Sequence, residues 1–88
     1  MDIRDRINKL IDFKEIKPTE LVEKTGIDRM KWANLKRSRV RAQQEHIEAI
    51  VALWPEYAYW ITTGKTLPEA GQISPELEET RKNLQTGT

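Results

Sequence analysis

The chain of 88 residues has no cysteine, one histidine and one phenylalanine. Without cysteine there is no disulfide framework and no thiolate metal site. A lone His46 without cysteine partners reads as a solvated or capping side chain rather than a metal ligand. No apolar run approaches the roughly 18–20 residues that span a bilayer. Asp2, Arg4, Asp5 and Arg6 break up the start, so it does not read as a signal peptide. A soluble, cytoplasmic protein with no membrane partner is expected. Ser38 and Ser74 have no histidine near them in sequence. Glu76, Glu78 and Glu79 sit at one helix start, where they serve the dipole rather than a metal. There is no glycine-rich phosphate loop. The sequence points to no enzyme, no cofactor and no small-molecule ligand.

What remains is short, helical and charged. Ile3, Ile7, Leu10 and Ile11 recur at helical spacing and predict an amphipathic helix over 2–13. Phe13 and Ile16 cover the start of the next one. Ile47, Ile50, Val51 and Trp54 predict a helix from about Gln43 to Trp54, ended by Pro55. Tyr57, Trp60 and Ile61 predict a short helix stopped by Gly64. Residues 65–72 carry Pro68 and Gly71 and read as a linker. Ser74-Pro75-Glu76 is a helix start, with serine as cap, proline at the first position and glutamate at the positive dipole end. Leu77, Arg81 and Leu84 form a thin seam on that helix, and 85–88 reads as a disordered tail. A chain of this length makes one small helical core.

The stretch Pro18 to Arg41 carries the functional signal. Pro18 suits a first helical position. Leu21 and Val22 face inward, and Gly26 falls where a left-handed residue ends a helix. Ile27 lies buried in the turn, and Asp28 is a good N-cap for the next helix. Trp32 and Leu35 share one face of that helix. Arg29, Met30, Lys31 and Asn34 therefore point elsewhere. Two short amphipathic helices around a glycine turn are the layout of a helix-turn-helix, whose second helix enters the major groove.

Net charge is only +1, yet the charge is segregated. Arg29, Lys31, Lys36, Arg37, Arg39 and Arg41 fall in one stretch without an acid. Glu69, Glu76, Glu78 and Glu79 fall in another without a base. Cations clustered on one motif are the footprint of a phosphate-binding surface.

From Ile3 to Gly64 the chain resembles the XRE family, the Cro and lambda-repressor-like helix-turn-helix proteins. Leu21, Gly26, Ile27, Trp32 and Leu35 fall on that family's apolar and glycine positions. Trp60-Ile61-Thr62-Thr63-Gly64 resembles its closing aromatic-aliphatic-Thr-Gly helix end. Three positions depart from the pattern. Val22 stands where alanine is preferred, Thr25 where leucine is, and Trp32 exceeds the usual isoleucine or valine.

The resemblance implies an all-α, five-helix lambda-repressor-like domain over 1–64, with a short C-terminal helical extension over 65–88. It implies a double-stranded-DNA-binding transcriptional regulator of repressor type, from a phage or prophage. Such a protein works as a homodimer on a palindromic operator with half-sites about 34 Å apart. Asp28, Arg29, Met30, Lys31 and Asn34 are the implied base contacts. Arg29 suits guanine and Asn34 adenine. Lys17 and Thr19 at the start of the second helix are expected on phosphates. So are Lys36, Arg37, Arg39 and Arg41. Dimerisation is expected through Tyr57, Tyr59, Leu77 and Leu84, away from the basic pole. The alternative is that 65–88 wraps its own domain. A second function also stays open, a protein-interaction module on the same fold, such as an antitoxin or an inhibitor of a host factor.

Overall fold

The computed structural model describes residues 1–37 and 40–86. Among them are six α-helices and no strand beyond an isolated bridge. The helices are α1 (Ile3–Lys14), α2 (Pro18–Thr25), α3 (Arg29–Lys36), α4 (Gln44–Leu53), α5 (Ala58–Thr63) and α6 (Pro75–Thr86). Short 3-10 turns precede α5 (Pro55–Tyr57) and α6 (Pro68–Ala70). The all-helical expectation holds.

Local chemistry sets most boundaries. Asp2 opens α1, its carboxylate accepting from the Asp5 N–H at 2.9 Å. Glu15 closes it in the left-handed region, at φ 54°. Pro18 is the first residue of α2, as its fixed φ favours. Gly26 at φ 72° turns the chain, its N–H donating to the Val22 carbonyl at 2.8 Å. Asp28 then caps α3, accepting from the Met30 N–H at 3.1 Å.

The core gathers one stripe from every helix but the last. Ile7, Leu10, Leu21, Ile27, Trp32, Leu35, Ile50, Tyr57, Trp60 and Ile61 are its buried members. A fully buried side chain of this kind contributes about 1.5–3 kcal/mol. Helix α1 supplies more than apolar surface. Its Arg4 Nη1 and Asn8 Nδ2 both donate to the Leu35 carbonyl, at 3.4 and 3.3 Å. Its Arg6 Nε donates to the Ile61 carbonyl at 2.8 Å. Carbonyls near the ends of α3 and α5 thus both accept from one helix.

Residues 65–72 form an ordered turn rather than an extended connection. Leu67 and Gln72 exchange backbone hydrogen bonds at 2.8 and 3.1 Å. The Gln72 side chain accepts from the Tyr59 N–H at 2.9 Å and donates to the Pro55 carbonyl at 3.2 Å. The Ile73 N–H reaches the Glu56 carbonyl at 2.8 Å. Ser74 is buried and its Oγ accepts from the Leu77 N–H at 3.1 Å. Helix α6 then starts against α1. Lys9 pairs with Glu76, and Lys14 Nζ lies 3.6 Å from Glu78 Oε2. The helix runs on to Thr86, past the point where a tail is expected; Gly87 and Thr88 lie outside the described residues. No helix among the described residues is long and apolar enough to cross a membrane.

Candidate nucleic-acid interface

Helix α3 meets the core with only Trp32 and Leu35 buried. Most of the rest of its two turns is held out by that packing. Met30 is 58% exposed, and Arg29, Lys31, Lys36 and Arg37 are exposed with it. Asn34 and Ala33 are half-buried at the edge. Asp28 is exposed, but its carboxylate is engaged in the cap.

The cations differ in how free they are. Lys31 Nζ lies 3.0 Å from Glu45 Oε1 on α4, so its charge is partly matched. Arg29, Lys36, Arg37, Lys17 and Arg41 are exposed and make no ion pair with any described residue. Lys17 and Thr19 flank the first turn of α2, where Lys17 occupies the cap position without a side-chain capping bond. Arg39 lies outside the described residues.

Two residues behind α3 set its position. Trp32 is 6% exposed and makes an edge-to-face contact with the His46 ring, centroids 4.9 Å apart. His46 is not solvated. It is 2% exposed, and its Nδ1 accepts from the Gln43 N–H at 3.1 Å, which caps α4. Desolvation holds its pKa below the ordinary histidine value, against the pull of Glu45. The Lys31 backbone pulls the same way as Glu45, and Nε2 has no hydrogen-bond partner among the described residues.

The aromatic pairing surface expected near Tyr57 needs correction. Tyr57 is fully buried and cannot face a partner. The Lys14 ammonium sits 5.0 Å from its ring centroid, and burial pushes its phenol far up, with Glu78 adding to the shift. Tyr59 and Leu77 are half-buried, whereas Leu84 is 70% exposed. Among the described residues no cluster of His, Cys, Asp or Glu can hold a metal ion.

The fold has a counterpart. Pf6r, from the filamentous phage Pf6 of Pseudomonas aeruginosa PA01, is 33% identical in sequence. The match covers 97% of this chain and 99% of that one, with a TM-score of 0.85. The chain belongs to the Pf6r family. No family model matches the sequence, and no curated protein does. The match to Pf6r runs the length of both proteins, so α6 and the turn before it are part of the shared architecture.

Sequence reasoning missed the residues that brace α3 from behind. Arg4 and Asn8 act across 31 and 27 residues of sequence, and nothing local marks them. Their spacing of four on one helix face is the only signal, and it fits many surface pairs.

Proposed function

We propose that this Pf6r-family chain is a sequence-specific double-stranded-DNA-binding regulator of phage type. In this reading residues 1–64 form a lambda-repressor-like helix-turn-helix unit and 65–88 its C-terminal extension. Helix α3 enters the major groove, with Arg29, Met30 and Asn34 toward base edges. Lys17, Thr19, Lys36, Arg37, Arg39 and Arg41 take phosphates on either side. The protein acts in the cytoplasm as a homodimer on a palindrome, and it is not an enzyme.

One observation carries the proposal. Among the exposed cations on and beside α3, Lys31 is matched by Glu45, whereas Arg29, Lys36, Arg37, Lys17 and Arg41 make no ion pair with any described residue. Unpaired charge gathered on one helix and the adjoining helix start suits a polyanion. Two acids of the C-terminal helix are engaged with α1 instead, Glu76 with Lys9 and Glu78 with Lys14. The filamentous-phage origin of Pf6r supports a phage regulator.

A duplex-shift assay with a salt titration tests it. Binding should weaken steeply with salt, at about 0.9 log units per phosphate contact per decade of salt. A cognate duplex should outcompete random duplex by about 10³-fold or more. Salt-insensitive or absent duplex binding would overturn the proposal.

A further inference from the structure

Between α1, the start of α2 and α3 lies a cavity of about 290 Å³. That is near the small end of the range of about 300–1,000 Å³ in which small-molecule sites fall. Its floor is apolar, built from Ile11, Ile16, Leu21, Trp32 and Ala33. The polar groups in those walls are already engaged. Trp32 Nε1 donates to Thr25 Oγ1 at 3.3 Å, and the Asn8 amide donates to the Leu35 carbonyl. The rim is exposed and charged. Arg29, Lys36 and Arg37 reach it from α3, and Asp12 from α1. No ion pair joins these four among the described residues.

We propose that this cavity binds a small amphipathic organic anion, a monocarboxylate with an aromatic or branched aliphatic body. The apolar body lies against Leu21 and Trp32, and the carboxylate meets Arg29 and Lys36. Charge complementarity carries the choice, since three rim cations face one carboxylate. A bare inorganic anion gains nothing from a floor without free donors. The cavity holds one small molecule, not a run of polypeptide.

The consequence rests on the DNA-binding reading. Arg29 and Lys36 serve both the duplex and the anion. A carboxylate seated under them draws Arg29 from the base edges and Lys36 from its phosphate, so anion and duplex compete. The site thus makes α3 an effector-controlled reader.

The test uses 2-naphthoate as probe on the full chain, without DNA, followed by amide NMR. Saturable shifts should appear at Ile11, Leu21 and Ala33, with Kd of about 1 mM for a ligand of this size. Arg29→Gln and Lys36→Gln, both at exposed sites, should each weaken binding about fivefold. Ala33→Leu should fill the floor and abolish binding, while Arg81→Gln on α6 should leave it unchanged. Circular dichroism confirms that each variant is folded. Equal binding of naphthalene-2-carboxamide or of inorganic phosphate would overturn the proposal. So would absence of saturable shifts, or unchanged binding in Ala33→Leu. A separate arm adds naphthoate to a protein–duplex complex and should release the duplex. If naphthoate binds but no duplex ever does, the cavity stands and the DNA-binding reading fails. If duplex binds and naphthoate does not, the reverse holds.

Discussion

The indole Nε1 of Trp32 stands 3.3 Å from the hydroxyl oxygen of Thr25, across the turn between α2 and α3. The same hydroxyl donates to the Leu21 carbonyl at 2.6 Å and accepts from the Ile27 N–H at 3.2 Å. One oxygen therefore closes α2, holds the turn and anchors the largest side chain of α3. Thr25 and Trp32 are also two of the three positions at which the chain departs from the helix-turn-helix pattern it resembles. The departures are partners. A larger aromatic brings a donor into the core, and a threonine in place of leucine accepts from it.

Thr25→Val keeps the shape and removes the acceptor. It should cost about 1–3 kcal/mol, because two N–H groups lose their partner. Trp32→Phe removes the indole donor together with part of the packing. The double variant should be less destabilised than the sum, by about 0.5–1.5 kcal/mol, as expected of residues in contact. Urea unfolding of the four proteins measures this. Strict additivity would mean that the bond contributes nothing.

Much of this motif was legible because its signals are local. Pro18, Gly26 and Asp28 act within a few residues of themselves, and Trp32 and Leu35 follow helical spacing. Glu15 hid the true end of α1, since a non-glycine left-handed cap has no strong sequence mark. Tyr57 looked exposed because its cover, α6 with Lys14 and Glu78, comes from distant parts of the chain. His46 reads from sequence as solvated or capping; it caps α4, and its burial depends on Trp32 from another helix. The cavity was invisible for the same reason. Ile11, Leu21 and Ala33 meet only when three helices are packed.

Base and phosphate contacts separate by their mutants. Arg29→Ala should cost about 1–3 kcal/mol on cognate duplex and relax preference at one base pair. A Lys36, Arg37, Arg41 triple alanine variant should instead weaken cognate and random duplex alike. It should flatten the salt slope by about one unit per lost contact. Equal losses of Arg29→Ala on both duplexes would move Arg29 to the phosphate set. An unchanged slope in the triple variant would take all three off the backbone.

Acid should loosen the back of α3 through His46. Its Nδ1 accepts the Gln43 N–H, so the neutral ring carries its proton on Nε2. Protonation would set a second proton against that N–H and undo the cap of α4. Desolvation lowers the folded pKa below the ordinary 6.5, with Glu45 and the Lys31 carbonyl opposing and the Lys31 charge assisting. The unfolded chain then binds the proton more readily. Stability is full above pH 6.5 and falls as pH drops through it toward the folded pKa. The slope for one proton cannot exceed about 1.4 kcal/mol per pH unit. With one histidine in the chain, unfolding midpoints between about pH 7 and 5.5 isolate the effect. Asp2, held low by the Asp5 N–H, loses its contribution only below the carboxylate range. His46→Gln should flatten the dependence; a profile unchanged by the substitution would assign it to other groups.

The pairing surface should lie on the outer half of α6. Its first turns are tied to α1 through Lys9–Glu76 and Lys14–Glu78, and Leu77 is half-buried there. Leu84 is 70% exposed, a large apolar side chain two residues beyond Lys82, whose ammonium lies 5.9 Å from the centroid of the Phe13 ring. Removing 65–88 outright is a poor experiment, because it would uncover Tyr57 and take Ile73 from the core. Leu84→Lys is cleaner. It changes an exposed position, so thermal stability of the monomer should move by no more than about 0.5 kcal/mol. Light scattering should show dimer mass for the wild type and monomer mass for the variant. Affinity for a palindromic duplex should drop while affinity for an isolated half-site is kept, since each reading helix is intact. A Leu84→Lys protein that stays dimeric with full palindrome affinity would place the interface elsewhere, with Tyr59 the next position to test.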